Sequence, residues 1–188
     1  MCYAQISEYR TGKSNFVSHA SDTFVPLGAA VLTVSDTRTE ADDTSGNYLK
    51  QALTDAGHKV IGSAIIADEP GAIREQVLAW INDEIIKLVL VTGGTGLYPR
   101  DVTPQALAGL FEYDIPGFGE LFRTLSFQEI GASTIQSRAM AGMANKTLVF
   151  CLPGSTGACR TAWEQIICSQ VDSRHRPCNF VKAITGSD

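Results

Sequence analysis

Apolar residues in this chain form short unbroken runs separated by stripes at helical spacing. The runs are Gly28 to Val34, Val60 to Ile66, Leu88 to Thr92 and Lys146 to Leu152. Continuous runs of this length, bounded by turn or charged residues, predict strands covered on both faces. Between the first two, Tyr48, Leu49, Ala52, Leu53 and Ala56 recur at helical spacing and Gly57 stops the pattern. After Asp68-Glu69-Pro70, a stripe of Ile73, Val77, Leu78, Ile81 and Ile85 predicts a second helix. Thr103 is expected to cap a short helix running to about Phe111, with Pro104 as its first residue. A helical stretch is expected from Asp114 through Phe127, and another over the Ala- and Met-rich residues 132–143. A last helix, carrying Ala162, Ile166 and Ile167, runs to about Val171.

Strands that alternate with helices through short connections predict an α/β fold. Right-handed crossovers then build a three-layer, doubly wound, mostly parallel sheet with helices on both faces. The chain of 188 residues suits one such domain, expected over residues 26–182. Residues 1–25 are polar and aperiodic and read as an N-terminal tail, and 183–188 as a C-terminal one.

In such sheets, ligands sit beyond the carboxyl ends of the strands. Four segments are predicted to meet there: Ser35-Asp36-Thr37, Asp68-Glu69, residues 93–101 and Pro153 to Gly157. In Gly93-Gly94-Thr95-Gly96 three glycines admit close backbone approach, and their N–H groups can cradle an anion. A ligand-free strand-to-helix turn is the bland alternative. The spacing is neither that of the common NTPase phosphate loop nor that of the dinucleotide fingerprint. Asp36, Asp68 and Asp101 each follow a strand end, where carboxylates can hold Mg²⁺ beside phosphate oxygens. As helix caps or loop residues they would do no chemistry. Pro153-Gly154-Ser155-Thr156-Gly157 is a second candidate cradle. Arg38, Arg100, Arg123 and Arg138 are candidates for pairing with phosphate or carboxylate. Glu120, an acid between apolar neighbours, is a candidate ligand contact.

The net charge of −5 argues against a nucleic-acid binder held by general electrostatics. No apolar run reaches membrane-spanning length and no signal-peptide core opens the chain, so cytoplasmic residence is expected. The five cysteines, an odd count without a CxxC pair, indicate neither a disulfide framework nor a zinc site, and Cys151 and Cys168 fall in apolar segments where cysteine acts as a small buried hydrophobe.

Taken together, the blocks resemble the MoaB/Mog family of molybdenum cofactor biosynthesis. They are Ser35-Asp36-Thr37, Thr92 to Gly96, Arg100-Asp101-Val102-Thr103-Pro104, Pro116 to Glu120, Ser137-Arg138 and Pro153-Gly154-Ser155, in the family's order. The run from Pro153 to Trp163 and the ending Arg176 to Phe180 resemble the family's bacterial B branch. The resemblance implies a domain that binds molybdopterin, a pterin with a dithiolene and a terminal phosphate. It further implies transfer of AMP from MgATP to that phosphate, with release of pyrophosphate. Asp68 and Asp101 would be the catalytic carboxylates, with Asp101 the candidate Mg²⁺ ligand. Ser35, Asp36, Thr37, the 93–96 loop, Thr103, Glu120, Arg138 and Pro153-Gly154-Ser155 would bind substrate or nucleotide. It also implies a homo-oligomer, a hexamer in preference to a trimer, with other molybdenum cofactor enzymes as partners. A non-catalytic molybdopterin carrier or scaffold is the alternative, motivated by Thr156 standing where other branches carry a second proline.

Overall fold

The computed structural model describes residues 20–186. Six strands form one sheet in the order β2-β1-β3-β6-β5-β4. Four are the apolar runs: β1 (Gly28–Val34), β2 (Lys59–Ile66), β3 (Ile86–Thr92) and β6 (Thr147–Leu152). These pair in parallel, so their carboxyl ends lie in a row. Val34 is opposite Ile66, Thr33 opposite Thr92, and Thr92 opposite Leu152.

Side chains of the central strands alternate between two cores, as a strand period of two requires. Ala29 and Val31, Leu88 and Leu90, Leu148 and Phe150 face one layer. That layer holds α1 (Thr44–Asp55), α4 (Pro116–Ile130) and α5 (Thr156–Ala162). Ala30 and Leu32, Val89 and Val91, Val149 and Cys151 face the other, with Ile73, Val77 and Ile81 of α2 (Pro70–Ile81) and Leu107 of α3 (Thr103–Leu107). The three-layer, mostly parallel sheet expected from the pattern is therefore present.

Several local expectations are corrected. Residues 132–143 are not one helix. A 3₁₀ turn over Gly131–Gln136 leads into β5 (Met140–Ala144), which runs antiparallel to β6 and carries the short β4 (Tyr113–Asp114) on its outer edge. Asn145 and Lys146, both with positive φ (46° and 59°), close the β5–β6 hairpin, and two such residues in succession suit the twist of a tight hairpin. The β5 sequence Met-Ala-Gly-Met-Ala has no β-branched residue, so propensity hides the strand. Its glycine has a packing reason: a Cβ on Gly142 would lie 2.2 Å from the Phe111 ring.

The short helix α3 ends at Leu107 instead of near Phe111, and Thr103 is its first residue, not its cap. Val102 occupies the cap position without a side-chain bond. The last long helix is interrupted at Trp163–Ile167 by a π-turn before α6 (Cys168–Gln170). A further helix, α7 (Val181–Thr185), crosses the expected boundary at residue 183 because Ile184 is fully buried in the core.

Order also begins before residue 26. The hydroxyl of buried Ser173 accepts from the Val25 N–H (2.9 Å) and donates to the Thr23 carbonyl (2.7 Å). Of the tail expected over residues 1–25, residues 1–19 lie outside the described residues. Phe24 then packs on His58, whose Nδ1 accepts from the Leu27 N–H at 3.2 Å. Burial pushes the His58 pKa down to about 4, against a small opposing pull from Asp172.

His58 is therefore neutral in the folded state, whereas in the unfolded chain it takes up a proton below about pH 6.5. The unfolded state binds more protons between those two values, so stability is lost as pH falls from about 6.5 toward 4. Urea unfolding at pH 7 and pH 4.5 should show a loss attributable to this residue on the order of 2 kcal/mol. The His58→Gln variant should lack that part of the pH slope. Identical slopes in the two proteins would show that His58 is not held neutral.

Candidate functional site

A cleft of about 600 Å³ opens over the aligned ends of β1, β3 and β6, within the size range of small-molecule sites. Gly93, Gly94, Thr95 and Gly96 line it on one side, and Pro153, Gly154 and Ser155 on the other. Ser35, Asp68 and Asp101 complete its polar wall. Two backbones almost touch in its floor: a Cβ on Gly93 would lie 2.2 Å from the Val34 carbonyl oxygen. Gly93 has φ of +107° and Gly94 of +62°, so the turn leaves β3 through a conformation that L side chains rarely adopt.

The loop's carbonyls are tied down one by one. The Thr103 hydroxyl donates to Gly93 C=O (2.8 Å), and the Thr103 N–H to Gly94 C=O (3.0 Å). Arg138 holds the next section. Its Nε donates to Gly96 C=O at 2.8 Å and Thr95 C=O at 3.3 Å, and its Nη2 to Asp101 C=O at 2.6 Å. In a trans peptide the N–H of the following residue points opposite to the C=O. The N–H groups of Gly94, Thr95, Gly96 and Leu97 therefore point away from Thr103 and Arg138, and they have no partner among the described residues. Consecutive amides oriented together form an anion-binding concavity.

Facing these donors is an acidic group. The Asp101 carboxylate accepts from the Tyr98 N–H (2.9 Å) and lies against Gly96. Asp68 lies over Gly94, and its carboxylate takes a backbone hydrogen bond from Asp36. Burial first, then the charge of Asp36 and less strongly that of Asp101, push the Asp68 pKa up, against opposing pulls from Arg100 and from the Asp36 backbone hydrogen bond. Asp36 accepts from the Asp68 N–H and pairs with Arg100 at 2.5 Å. A divalent cation relieves such like-charge crowding. Two carboxylates with room for phosphate oxygens fit Mg²⁺, which takes few protein ligands. No group of three or more His, Cys, Asp or Glu side chains among the described residues could hold a metal by itself. Cys159 lies beneath the cleft beside Thr92, and burial pushes its thiol up to about 11, so it is no thiolate at neutral pH.

Residues 30–173 match the family described as a probable molybdopterin binding domain. The chain is 57% identical to molybdenum cofactor biosynthesis protein B of Escherichia coli K12 over 164 residues, 87% of this chain and 96% of that protein. Identity to the protein of that name from Bacillus subtilis is 47% over 138 residues, 73% and 81% of the two chains. A crystal structure of a molybdenum cofactor biosynthesis protein B superposes with a TM-score of 0.76 at 42% identity, covering 78% of this chain and 92% of that one. The chain belongs to the MoaB/Mog family.

In this MoaB/Mog protein, ten of the fifteen residues given a catalytic or binding role from sequence line the cleft, and five do not. Asp36 stands one hydrogen bond behind Asp68. Thr37 is exposed and bonds through its N–H to the Ser35 hydroxyl. Thr103 is fully buried with its hydroxyl on Gly93, and Arg138 sits behind the loop that it holds. Glu120 is exposed on α4, away from the lining. Ser155 lines the cleft and also caps α5, accepting from the Ala158 N–H at 3.2 Å. Arg38, a phosphate-pairing candidate from sequence, and Ser137 of the Ser137-Arg138 block also line the cleft, whereas Val34 and Gln136 line it without having been singled out. Gln136 carried no sequence signal, since its position depends on the 3₁₀ turn where a helix was expected.

The Gly93 contact sets a direct test. Gly93→Ala should cost about 3 kcal/mol or more, through positive φ and the collision with Val34. Gly71→Ala, in the first turn of α2 with nothing within 4 Å, should stabilise by about 0.5 kcal/mol. Denaturant midpoints measure both, and equal midpoints would mean that the two backbones are not in contact.

Proposed function

We propose that this protein serves molybdenum cofactor biosynthesis by binding molybdopterin in the cleft and transferring AMP from MgATP to its terminal phosphate, with pyrophosphate released. The carrying observation is the row of four amides from Gly94 to Leu97, without a partner among the described residues, beside Asp68 and Asp101. Phosphoryl chemistry needs positioned donors and charge neutralisation rather than a protein nucleophile, and that is what this set of groups offers. Asp101 and Asp68 would take Mg²⁺ together with phosphate oxygens. The glycine loop and the 153–157 turn would hold phosphate. Ser35 and Ser137 would contribute hydroxyls. Asp36, Thr103 and Arg138 would support this from behind, and Thr37 and Glu120 would lie beyond direct reach.

A second reading is a molybdopterin carrier that does not turn over. One observation favours it: Asp101 is occupied by its own loop and Asp36 by Arg100, so two of the three carboxylates are already engaged within the protein.

We assign the working form as a homo-oligomer, a hexamer in preference to a trimer, in the cytoplasm. Phe127 and Ile130, one turn apart on α4, and Ile135 just beyond are 59%, 57% and 82% exposed, which suits burial against another copy. Among the described residues no helix is long and apolar enough to cross a membrane.

Incubation of the protein with molybdopterin, ATP and Mg²⁺ should yield pyrophosphate and adenylylated pterin in equal amounts. Asp101→Asn should lower kcat by roughly a hundredfold or more while leaving the melting temperature within a few degrees. Wild-type rates in that variant would remove Asp101 from the reaction. Pterin binding without pyrophosphate release would support the carrier. Sedimentation should report six chains, and Phe127→Asp should dissociate them. A wild-type monomer would overturn the oligomer.

A further inference from the structure

Arg38 is the one cationic side chain among the residues lining the cleft. Its guanidinium is fixed at two points. Nη1 donates to Asp43 Oδ1 at 3.2 Å, and Nη2 donates to the Gly154 carbonyl at 2.9 Å. The remaining N–H donors have no partner among the described residues, and the side chain keeps 28% of its surface exposed.

Asp43 is only 2% exposed. Its carboxylate accepts from the Thr33 hydroxyl (2.6 Å) and from the Gly46 N–H (2.9 Å), the latter capping α1. A neutral Ser or Asn caps a helix as well as Asp does. Capping alone therefore gives no reason to bury a charge, which costs several kcal/mol unless paired. The group that pairs it is Arg38. The Ser45 hydroxyl donates to the same Gly154 carbonyl at 2.7 Å, so Arg38 and Ser45 hold one wall of the cleft between them.

Charge is also ordered across the cleft. Asp68 lies over Gly94, Gly94 follows Gly93, Gly93 touches Gly154, and Gly154 is bonded to Arg38. The acidic pole is at one end of this line and the sole lining cation at the other. An anionic group is repelled from the first and drawn to the second.

We propose that Arg38 receives a phosphate oxyanion of the cleft's ligand, a phosphomonoester or the phosphate chain of a nucleotide, and that Asp43 is the positioning residue that aims it. The inference rests on reading the cleft as a phosphate site, and its test needs neither molybdopterin nor turnover. A guanidinium with free donors takes a phosphate through two parallel bonds, and only a held guanidinium presents both at once.

The experiment is ³¹P NMR titration of the full chain with glycerol 3-phosphate and, separately, with ATP. Arg38→Ala should weaken at least one probe tenfold or more, and Arg38→Lys should recover part of the loss. Loss confined to glycerol 3-phosphate identifies the pterin's terminal phosphate as the group received; loss confined to ATP identifies the nucleotide. Asp43→Asn should weaken the same probe several-fold. Combined with Arg38→Ala it should add nothing, because Asp43 acts through Arg38. Additive losses in the double variant would overturn the role of Asp43. Unchanged affinity for both probes in Arg38→Ala, or no binding of either by the wild type, would overturn the role of Arg38. Failure of adenylyl transfer with these titrations as expected would count against the proposed reaction and leave the assignment of Arg38 standing.

Discussion

Everything in the cleft depends on the approach of two parallel strands at their carboxyl ends. Gly93 leaves β3 with its α-carbon pressed toward the Val34 carbonyl, so close that no side chain could stand there. Gly154, at the end of β6, meets Gly93 from the other side, with its would-be Cβ 3.3 Å from the Gly93 α-carbon. Three strand ends thus meet with nothing but backbone between them. That contact brings amides, which sequence alone scatters over 60 residues, within reach of one ligand. It exists because β1, β3 and β6 pair in parallel and keep one register from Leu88 to the carboxyl end of β3.

Around this floor the charged side chains divide into those that hold the backbone and those left with unused capacity. Arg138 gives its donors to three loop carbonyls, and Arg100 pairs with Asp36. The Arg100–Asp36 pair is largely solvated on the arginine side, so it contributes little to stability and acts mainly to fix the loop beside β1. What keeps spare capacity is one carboxylate, Asp68, crowded by burial and by Asp36, and part of one guanidinium, Arg38. A polarised cleft of this kind selects a ligand that carries both signs, such as a phosphate compound accompanied by a divalent cation.

How much of this was legible in the sequence follows from which signals are local. The four buried strands were legible because parallel strands covered on both faces must be apolar without interruption. The glycine loop and the acids at strand ends were legible because chain order fixes them at the carboxyl edge. The β5 strand was not. Its Ala, Met and Gly residues suit a helix by propensity, and the reason for Gly142 is a phenylalanine thirty-one residues away. Thr103 was misread for the same kind of reason. As a hydroxyl before a proline it has the local form of a cap, but its hydroxyl is taken by Gly93 across the loop. Arg138 was recognised as part of the site, yet only the fold shows it behind the loop instead of inside the cleft.

Asp43 marks the limit of local reading most clearly. In sequence it belongs to a polar stretch, Glu40-Ala41-Asp42-Asp43-Thr44-Ser45, with nothing to separate it from its neighbour Asp42. In the structure Asp42 closes an exposed turn on Thr39, while Asp43 is buried under β1 and bonded to Thr33. One residue of displacement separates a solvated charge from a buried one. The difference comes from where α1 begins, since the first turn of that helix directs the Asp43 carboxylate inward toward Gly46 and Thr33. A buried carboxylate next to a cleft is stable only with its cation beside it, and that cation is thereby held where a ligand can use it. The start of α1 thus sets, through one hydrogen-bonded pair, the electrostatics of a site built from the ends of three other elements.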